Sequence, residues 1–243
     1  MLGVGVSLIN MSIALDRIDR WIATHDRQYV SVCTVHTVME CRRNEKLRQI
    51  VNAAGMTTPD GMPLVWLSRL AGHRFVSRVY GPDLMLAEME ASTRTGHRHF
   101  FYGGRDTVAA RLADVMRGRY PRVQVVGTYA PPVATAEELC SAEAAALINQ
   151  AQPDIVWVGL GTPKQERWMR DHKDRLSAPV LVGVGAAFDF HAGTMRSAPA
   201  WMGDHGLEWL FRLAQEPRRL WRRYLLRGSE FAALAIIELL KQK

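Results

Sequence analysis

Cysteine is scarce in this chain, and no long apolar run is present. The 243 residues include three cysteines, Cys33, Cys41 and Cys140, and no pair of them has the spacing of a zinc site or a redox motif. This excludes a disulfide-stapled miniprotein and is typical of buried free thiols in a reducing compartment. No stretch reaches the roughly 20 apolar residues that cross a bilayer, since Phe231–Leu240 is short and contains Glu238. We therefore do not expect this chain to be an integral membrane protein.

Metal-binding and dinucleotide-binding patterns are also missing. The chain has no Asp-x-Asp, no His-Glu-x-x-His and no cysteine-rich spacing. His97 and His99 flank Arg98 at the start of a predicted strand, where we expect surface residues. We predict no metal and no cofactor. If a diphosphate leaves during a reaction, arginines, lysines and backbone N–H groups must then meet its charge. A nicotinamide-dependent oxidoreductase is one class of enzyme to consider for a chain of this kind. It would require Gly-x-Gly-x-x-Gly after the first predicted strand, and no such motif follows Val30–Val35.

The remaining composition is that of a globular protein. Hydrophobic residues make up 48% and charged residues 23%, which excludes a disordered or collagen-like chain. A chain of this length buries roughly 70–75% of its unfolded surface, enough for a core without disulfides. The segment Met1–Leu15 lacks a basic start and runs into Asp16 and Arg17, so it predicts a first strand and a helix start rather than a signal peptide. We expect a cytoplasmic protein.

Positive charge is concentrated towards the end of the sequence. The formal net charge is +7, and the segment 212–227 holds six arginines against a single glutamate, Glu216. Such a cluster indicates an anionic partner. At about 100° per residue, one side of a helix here carries Leu220, Trp221, Tyr224 and Leu225, and the other carries Arg218, Arg219, Arg222, Arg223 and Arg227.

Aromatic residues beside arginines are typical of an interfacial helix on an anionic membrane. The alternative is a packed helix with a solvated basic face. We do not expect nucleic acid as the partner, because no DNA- or RNA-binding module accompanies the basic segment.

Short apolar runs alternate with helical patterns along most of the chain. The predicted strands are Tyr29–Val35, His99–Tyr102, Val123–Val126, Ile155–Val158 and Val180–Val184. The predicted helices lie near 36–53, 62–71, 82–95, 106–118, 136–150 and 163–176. This alternation predicts an α/β fold with a Rossmann-like, mostly parallel sheet flanked by helices. Only helical signals follow Ala198, so we expect an α/β domain over 1–195 and a helical, basic, membrane-binding appendage over 196–243.

Three predicted strands end in glycine-containing turns, at the edge where doubly wound sheets bind ligands. The turns contain Gly103 and Gly104, then Gly159, Gly161, Thr162 and Lys164, and finally Gly185 and Asp189. Glycine lets the backbone approach a phosphate closely, and the helix that follows offers free N–H groups. One such turn is a weak signal, but three on one edge predict an anion site the size of a nucleotide. A non-enzymatic nucleic-acid or membrane adaptor would leave them unexplained.

Two candidate site positions also have a purely structural interpretation. Thr162 and Gln165 have the spacing of a capping box, with Pro163 at the favoured first helical position. Lys164 is less well explained, because the helix dipole disfavours a cation there, and a bound diphosphate would account for it. Asp60 precedes an apolar helix, where it is either an N-cap or a general base at the binding edge.

Eight segments in order carry a family resemblance. They are Thr34–His36, Pro59–Gly61, Arg78–Met85, Gly159–Glu166, Gly183–Gly193, Ala198–Met202, Gly206–Leu213 and Glu216–Leu220. Together they resemble the WecG/TagA/CpsF family of bacterial glycosyltransferases, glycosyltransferase family 26, over nearly the whole chain. Each segment is moderately specific, and their common order is highly specific.

The resemblance implies an inverting, metal-independent transfer of a hexose from a UDP-sugar to a sugar on a polyprenyl diphosphate carrier. This reaction belongs to cell-surface polysaccharide synthesis, at the inner face of the plasma membrane. The implied hexose is N-acetylmannosamine, its uronic acid or glucose. The oligomeric state stays open, with a homo-oligomer among the options.

The resemblance also implies roles for individual residues. Asp60 matches the general base, and the other catalytic positions are Thr34, His36, Arg78 and Gln165. Asp189 matches a residue near the uracil. The C-terminal helices match a membrane-attached appendage that completes the site with arginines, for which we take Arg212, Arg218 and Arg219. Many members have asparagine where His36 stands, which bears on sugar specificity rather than on the type of reaction.

Overall fold

The computed structural model describes residues 1–105, 107–131 and 142–241. Six strands occur within these ranges: β1 Gln28–Cys33, β2 Met56–Pro59, β3 Arg98–Gly103, β4 Gln124–Tyr129, β5 Ile155–Gly159 and β6 Val180–Gly183. They form one sheet in the order β2-β1-β6-β5-β3-β4, and every neighbouring pair is parallel. The predicted α/β class is confirmed.

Helices connect the strands and continue after the last one. Their bounds are α1 Met11–Thr24, α2 Val35–Arg43, α3 Glu45–Asn52, α4 Met62–Leu70, α5 Gly81–Thr95, α6 Val108–Arg119, α7 Ala142–Ala151, α8 Lys164–His172, α9 Ala187–His191, α10 Ala200–Asp204, α11 Glu208–Gln215, α12 Pro217–Trp221 and α13 Arg227–Lys241. The predicted helix over 36–53 is divided at Asn44, which ends α2 and caps α3 through its side chain. The first residues of the predicted helix 136–150 lie outside the described residues.

Both faces of the sheet are covered, as parallel sheets require. Phe101 and Trp157 point to a core cluster that includes Ile18 of α1. Their sequence neighbours Phe100 and Val156 point to a second cluster on the opposite face, because successive strand residues alternate between faces. The strands therefore read as continuous apolar runs, and this made most of them predictable.

Two predictions about strands were wrong. The N-terminal segment forms no strand; Val4 and Ile9 are buried there, and Asn10 caps α1 by accepting the Ile13 N–H group at 3.0 Å. The edge strand β2 was missed, since its sequence Met-Thr-Thr-Pro is short and contains a proline. Proline is compatible with such an edge position.

The prediction that His97 and His99 lie on the surface was also wrong. His99 is fully buried and accepts a hydrogen bond from the Trp157 indole N–H at 3.1 Å. His97 is mostly buried and contacts the buried Glu88 carboxylate at 3.0 Å. His99 lies within β3, and His97 directly precedes the first residue of this strand, Arg98. Both histidines therefore pack among the residues around the strand. Cys33 and Cys41 are buried free thiols, as expected, whereas Cys140 lies outside the described residues.

The chain after α9 is helical, as predicted, but its faces differ from the prediction. Leu220 is buried, whereas Trp221 and Leu225 are exposed and Arg223 is half-buried. A π-helical turn at Arg222–Leu226 interrupts the 100° periodicity on which the prediction depended, so Arg223 and Leu225 no longer follow that spacing.

The last helix contacts the core. Phe231 and Ala235 of α13 belong to one apolar cluster with Met39 of α2. In the part of the chain that the structure describes, no helix combines the length and apolar character needed to cross a membrane. The division into domains 1–195 and 196–243 stays a prediction.

Candidate active site

A cleft of about 1530 Å³ opens where the strands end, between the sheet and the C-terminal helices. Small-molecule pockets usually measure about 300–1,000 Å³, so this cleft has room for more than one substrate. The predicted site residues that line it are Thr34, His36, Asp60, Arg78, Gly104, Gly159, Gly161, Thr162, Lys164, Gln165, Gly185, Asp189, Arg212 and Arg219. Parallel topology explains this convergence, because the carboxyl ends of all strands meet at one edge.

Two predicted site residues do not line the cleft. Arg218 is exposed on α12. Gly103 ends β3 with φ +113°, and a Cβ atom there would lie 2.8 Å from the carbonyl carbon of Gly159. Gly103 therefore allows β3 and β5 to pack at their ends, rather than forming the cleft wall.

Asp60 lies at the end of β2, 7% exposed, with its side chain turned towards α5. Its Oδ2 accepts the Gly81 N–H group at 3.1 Å, and its own N–H group donates to the Cys33 carbonyl at 3.0 Å. The N-cap position of α4 is Gly61 and no side chain caps it, so the N-cap interpretation of Asp60 was wrong.

Burial raises the pKa of Asp60 to about 7. Arg78, the Gly81 N–H group and Arg212 oppose this rise, and the carboxylate of Glu208 adds to it. A carboxyl group with a pKa near 7 holds and releases a proton at physiological pH, which is the property of a general base or acid.

Arg78 is held by three neighbours. Its Nε donates to the backbone carbonyl of Asp60 at 2.6 Å, and its Nη2 pairs with the Glu208 carboxylate. The guanidinium carbon lies 3.9 Å from the centre of the Tyr80 ring, and the Tyr80 hydroxyl donates to Glu208 Oε1 at 2.9 Å. The sequence analysis did not identify Glu208, although it lies within the Gly206–Leu213 segment.

The turn before α8 does not form the predicted capping box. Thr162 Oγ1 donates to Glu166 Oε1 at 2.8 Å, and Gln165 Oε1 accepts the Gly161 N–H group at 3.1 Å. The helix begins at Lys164, after Pro163, without a side-chain cap. Glu166 is fully buried, and the Gln165 Nε2 also donates to its Oε1 at 3.2 Å. A buried carboxylate thus orients two side chains at the edge of the cleft.

A capping box is present instead at the start of α2. Thr34 Oγ1 accepts the Thr37 N–H group at 3.3 Å, and Thr37 Oγ1 accepts the Thr34 N–H group at 3.2 Å. This fixes the helix start that carries His36. Burial, together with the nearby charge of Arg223, lowers the pKa of His36 to about 4. His36 is therefore neutral at physiological pH, and its buried Nδ1 has no hydrogen-bond partner within the described residues.

Arginines from the C-terminal helices form the wall opposite the sheet. Arg212, Arg219 and Arg223 line the cleft. Burial lowers the pKa of Arg223, and Arg212 and Arg219 lower it further, whereas Tyr224 acts in the opposite direction. The buried Nε atoms of Arg212 and Arg223 have no partner in the described part of the chain. Donors crowded in this way fit an anion, since guanidinium groups bind phosphates through charge-assisted hydrogen bonds.

Arg223 was not among the predicted site residues, although the helical periodicity placed it on the same face as Arg218 and Arg219, which were. Side chains with metal-ligating atoms also come together elsewhere in the described residues: Asp19, Glu88 and His97 have such atoms within 4.8 Å of one another. None of these three lines the cleft.

Comparison with known proteins places the chain in a family. It matches the Glycosyl transferase WecG/TagA/CpsF family over residues 1–243. It is 30% identical over 176 residues to an N-acetylglucosaminyldiphosphoundecaprenol N-acetyl-beta-D-mannosaminyltransferase of Bacillus subtilis (strain 168), which is 72% of this chain and 66% of the relative.

A protein with the same name from Bacillus spizizenii (strain ATCC 23059 / NRRL B-14472 / W23) is 31% identical over 186 residues, which is 76% of this chain and 70% of that relative. The chain thus spans about two thirds of the length of these relatives. The predicted resemblance is confirmed, and the chain belongs to the glycosyl transferase WecG/TagA/CpsF family.

Proposed function

We propose that this protein is an inverting glycosyltransferase that moves N-acetylmannosamine from a UDP-sugar to N-acetylglucosamine on an undecaprenyl diphosphate carrier. The names of the two Bacillus relatives support this sugar and this acceptor over the uronic acid or glucose. The observation that carries the proposal is that the buried Asp60 carboxyl and the arginines of the C-terminal helices line one cleft.

Asp60 acts as the general base in this proposal. The acceptor hydroxyl oxygen attacks the anomeric carbon of the donor sugar from the face opposite the diphosphate. Its proton passes to the Asp60 carboxylate as the new carbon–oxygen bond forms and the bond to UDP breaks. The pKa of about 7 supports this role, because a base works best when its pKa lies near the working pH.

The departing UDP carries negative charge, and the cationic wall of the cleft stabilises it. Arg212 and Arg223 supply unpartnered donors, and Arg219 lies beside them. Fixed cations aimed at developing charge are a strong source of transition-state stabilisation. No step in this scheme calls for a metal ion. We assign Arg78 a smaller part in binding the diphosphate, since Glu208 and the Asp60 carbonyl already engage its guanidinium.

Neutral polar groups complete the site. We assign Thr34, His36 and Gln165 to the sugar hydroxyls, because each lines the cleft and none carries charge at neutral pH. Gly104, Gly159, Gly161 and Gly185 line the cleft along the strand ends and leave room for the donor. We assign Asp189, which also lines the cleft, to the nucleobase, as the family resemblance implies.

The C-terminal helices also bring the enzyme to its lipid-linked acceptor at the inner membrane face. Large apolar side chains are exposed on these helices, namely Trp201, Trp209, Leu210, Trp221, Leu225, Leu226, Ile236, Ile237 and Leu240. Exposed apolar residues beside arginines favour an anionic membrane surface. We propose a peripheral cytoplasmic protein that docks through this appendage.

The test is a transfer reaction with purified protein, a short-chain polyprenyl-diphosphate N-acetylglucosamine acceptor and one donor at a time. We expect a β-linked disaccharide product from UDP-N-acetylmannosamine and little product from UDP-glucose. Product formation should continue in the presence of EDTA. Absence of transfer from every UDP-sugar, together with binding of NAD rather than UDP, would instead support the oxidoreductase alternative.

A further inference from the structure

We propose that Glu208, on helix α11 of the appendage, is a positioning residue that sets the guanidinium of Arg78 against the loop carrying Asp60. On this view the catalytic base is correctly placed only when α11 is seated on the α/β core. The inference rests on the proposed glycosyl transfer, and it adds a residue to which neither the sequence motifs nor the names of the relatives assign a role.

The contacts of Glu208 reach across from the appendage to the core. Its carboxylate pairs with Arg78 Nη2 through one oxygen and accepts the Tyr80 hydroxyl at 2.9 Å through the other. The side chains of Arg78 and Glu208 are 17% and 18% exposed, so water screens this pair less than it would a surface pair. Both carboxylate oxygens are used, which holds the group in one orientation.

Arg78 transmits this placement to Asp60. Its Nε donates to the Asp60 carbonyl, and its face lies on the Tyr80 ring. On a further side it meets Gly203 of α10, where a Cβ atom would lie 2.7 Å from Arg78 Nη1. Two appendage residues, Glu208 and Gly203, therefore enclose the guanidinium that contacts the base-bearing loop.

The position of a carboxylate in this cleft needs a reason, because negative charge disfavours a diphosphate. A reason is available if Glu208 acts on the base rather than on the donor. Burial is the largest cause of the raised pKa of Asp60, and the negative charge of Glu208 raises this pKa further. Arg78, the Gly81 N–H group and Arg212 lower it. The groups that exert charge on Asp60, or on which it exerts charge, are Cys33, Arg78, Tyr80, Glu208, Arg212 and Arg223.

A merely structural role would be to fasten the appendage. Two other contacts also join it to the core outside the catalytic residues: Glu230 pairs with Arg43 at 2.7 Å, and Glu238 accepts the Leu2 N–H group at 3.0 Å. Glu230 thus provides a matched control, since Glu230→Gln removes one carboxylate charge and one ion pair between appendage and core without touching Arg78.

The experiment compares Glu208→Gln, Gly203→Ala and Glu230→Gln with the unmodified full-length protein. For Glu208→Gln we expect kcat to fall by about 10-fold to 100-fold, with UDP affinity little changed. The acid limb of kcat/KM should move to lower pH, because loss of the neighbouring negative charge lowers the pKa of Asp60. Gly203→Ala should lower kcat without that downward shift, since the Glu208 charge stays. Glu230→Gln should match the unmodified protein in both respects.

The Asp60 carboxyl is also titrated directly, by NMR of protein labelled with ¹³C at aspartate Cγ and assigned through Asp60→Asn. A lower pKa in Glu208→Gln than in the unmodified protein is expected whether or not sugar transfer is observed. Unchanged kcat and unchanged Asp60 titration in Glu208→Gln would overturn the inference. Equal losses in Glu208→Gln and Glu230→Gln would reduce Glu208 to a fastening contact. Absence of transfer by the unmodified protein would refute the proposed function instead, and the titration would still decide the role of Glu208.

Discussion

At the scale of single residues, loss of water reverses the usual proton affinities of an aspartate and a histidine. Burial raises the pKa of Asp60 to about 7 and lowers that of His36 to about 4, because desolvation favours the neutral form of each group. A base accepts a proton more readily when its pKa is higher. In the proposed transfer, Asp60, and not His36, is therefore the group suited to take the proton of the acceptor.

Replacement of Asp60 by asparagine tests this assignment most directly. We expect Asp60→Asn to lower turnover by about 10²-fold to 10⁴-fold, the range for loss of a general base, with UDP binding almost unchanged. Single-turnover rates and calorimetric titration with UDP measure the two effects. Turnover equal to that of the unmodified protein would remove Asp60 from the role of base.

The pH dependence of the unmodified enzyme follows from the same group. Asp60 must be ionised to accept a proton, so kcat/KM should fall by about tenfold for each unit below pH 7. Initial rates between pH 5 and 8 measure this limb. His36→Asn is the matched control and should leave the midpoint of the limb in place, because the imidazole is already neutral over this range. A midpoint that moves with His36→Asn would assign the limb to the histidine.

Stability should respond to pH through Asp60 as well. Its folded-state pKa is raised above the ordinary value of 3.8, so the folded protein binds this proton more tightly than the unfolded chain does. The stability associated with the neutral form is present below about pH 4 and is lost as pH rises towards 7. Asp60→Asn mimics the neutral form, and we expect it to melt at a higher temperature than the unmodified protein at pH 8. The difference should shrink near pH 4, and a constant difference would contradict the raised pKa.

At the scale of elements, the ends of β3 and β5 approach each other closely through Gly103. We expect Gly103→Ala to destabilise the fold by about 1–3 kcal/mol, since alanine is strained at a positive φ and would meet the Gly159 backbone. Gly118→Ala is the control, because Gly118 lies in α6 with nothing within 4 Å of an added Cβ atom. That substitution should stabilise by about 0.4–1 kcal/mol. Thermal melts measure both effects. If Gly103→Ala is as stable as the unmodified protein, the fold does not require glycine at position 103.

The appendage presents two adjacent leucines to solvent. Leu225 and Leu226 are 49% and 55% exposed at the π-helical turn, close to the basic residues. We expect the double substitution Leu225→Glu and Leu226→Glu to weaken binding to vesicles of acidic phospholipid by about tenfold or more, since burial of a leucine contributes about 1.5–3 kcal/mol.

Leu147→Glu is the matched control, because Leu147 is 41% exposed on α7, outside the appendage. Co-sedimentation with acidic and with neutral vesicles separates charge from apolar insertion. Binding by the double variant that equals binding by the control would exclude this part of the appendage as the docking surface.

At the scale of the whole molecule, the cleft is assembled from segments that lie far apart in the chain. Thr34 follows β1, Gln165 lies in α8, and Arg223 belongs to the last helices. Strand order brings β1, β6 and β5 side by side, which places these segments around one opening. The parallel sheet predicted from the sequence already implied that these segments would meet, because parallel strands present their carboxyl ends at one edge.

Local patterns were sufficient for the features that depend on a few neighbouring residues. The apolar runs predicted five of the six strands within the described residues, and the order of motifs predicted the family. Glycine at the strand ends marked the cleft edge. These features are readable because backbone conformation and strand burial impose their periodicity directly on the sequence.

Other features were decided by tertiary structure. Strand β2 is too short and too polar to be predicted from its own sequence, and its pairing with β1 defines it as a strand. The burial of His99, the inward turn of Arg223 and the pairing of Glu208 with Arg78 depend on what packs against each side chain. The pKa of Asp60 depends on the same packing. Composition and local order thus determined the fold class and the family, whereas the contacts between distant segments decided which charges lose their water and so which groups the cleft can use.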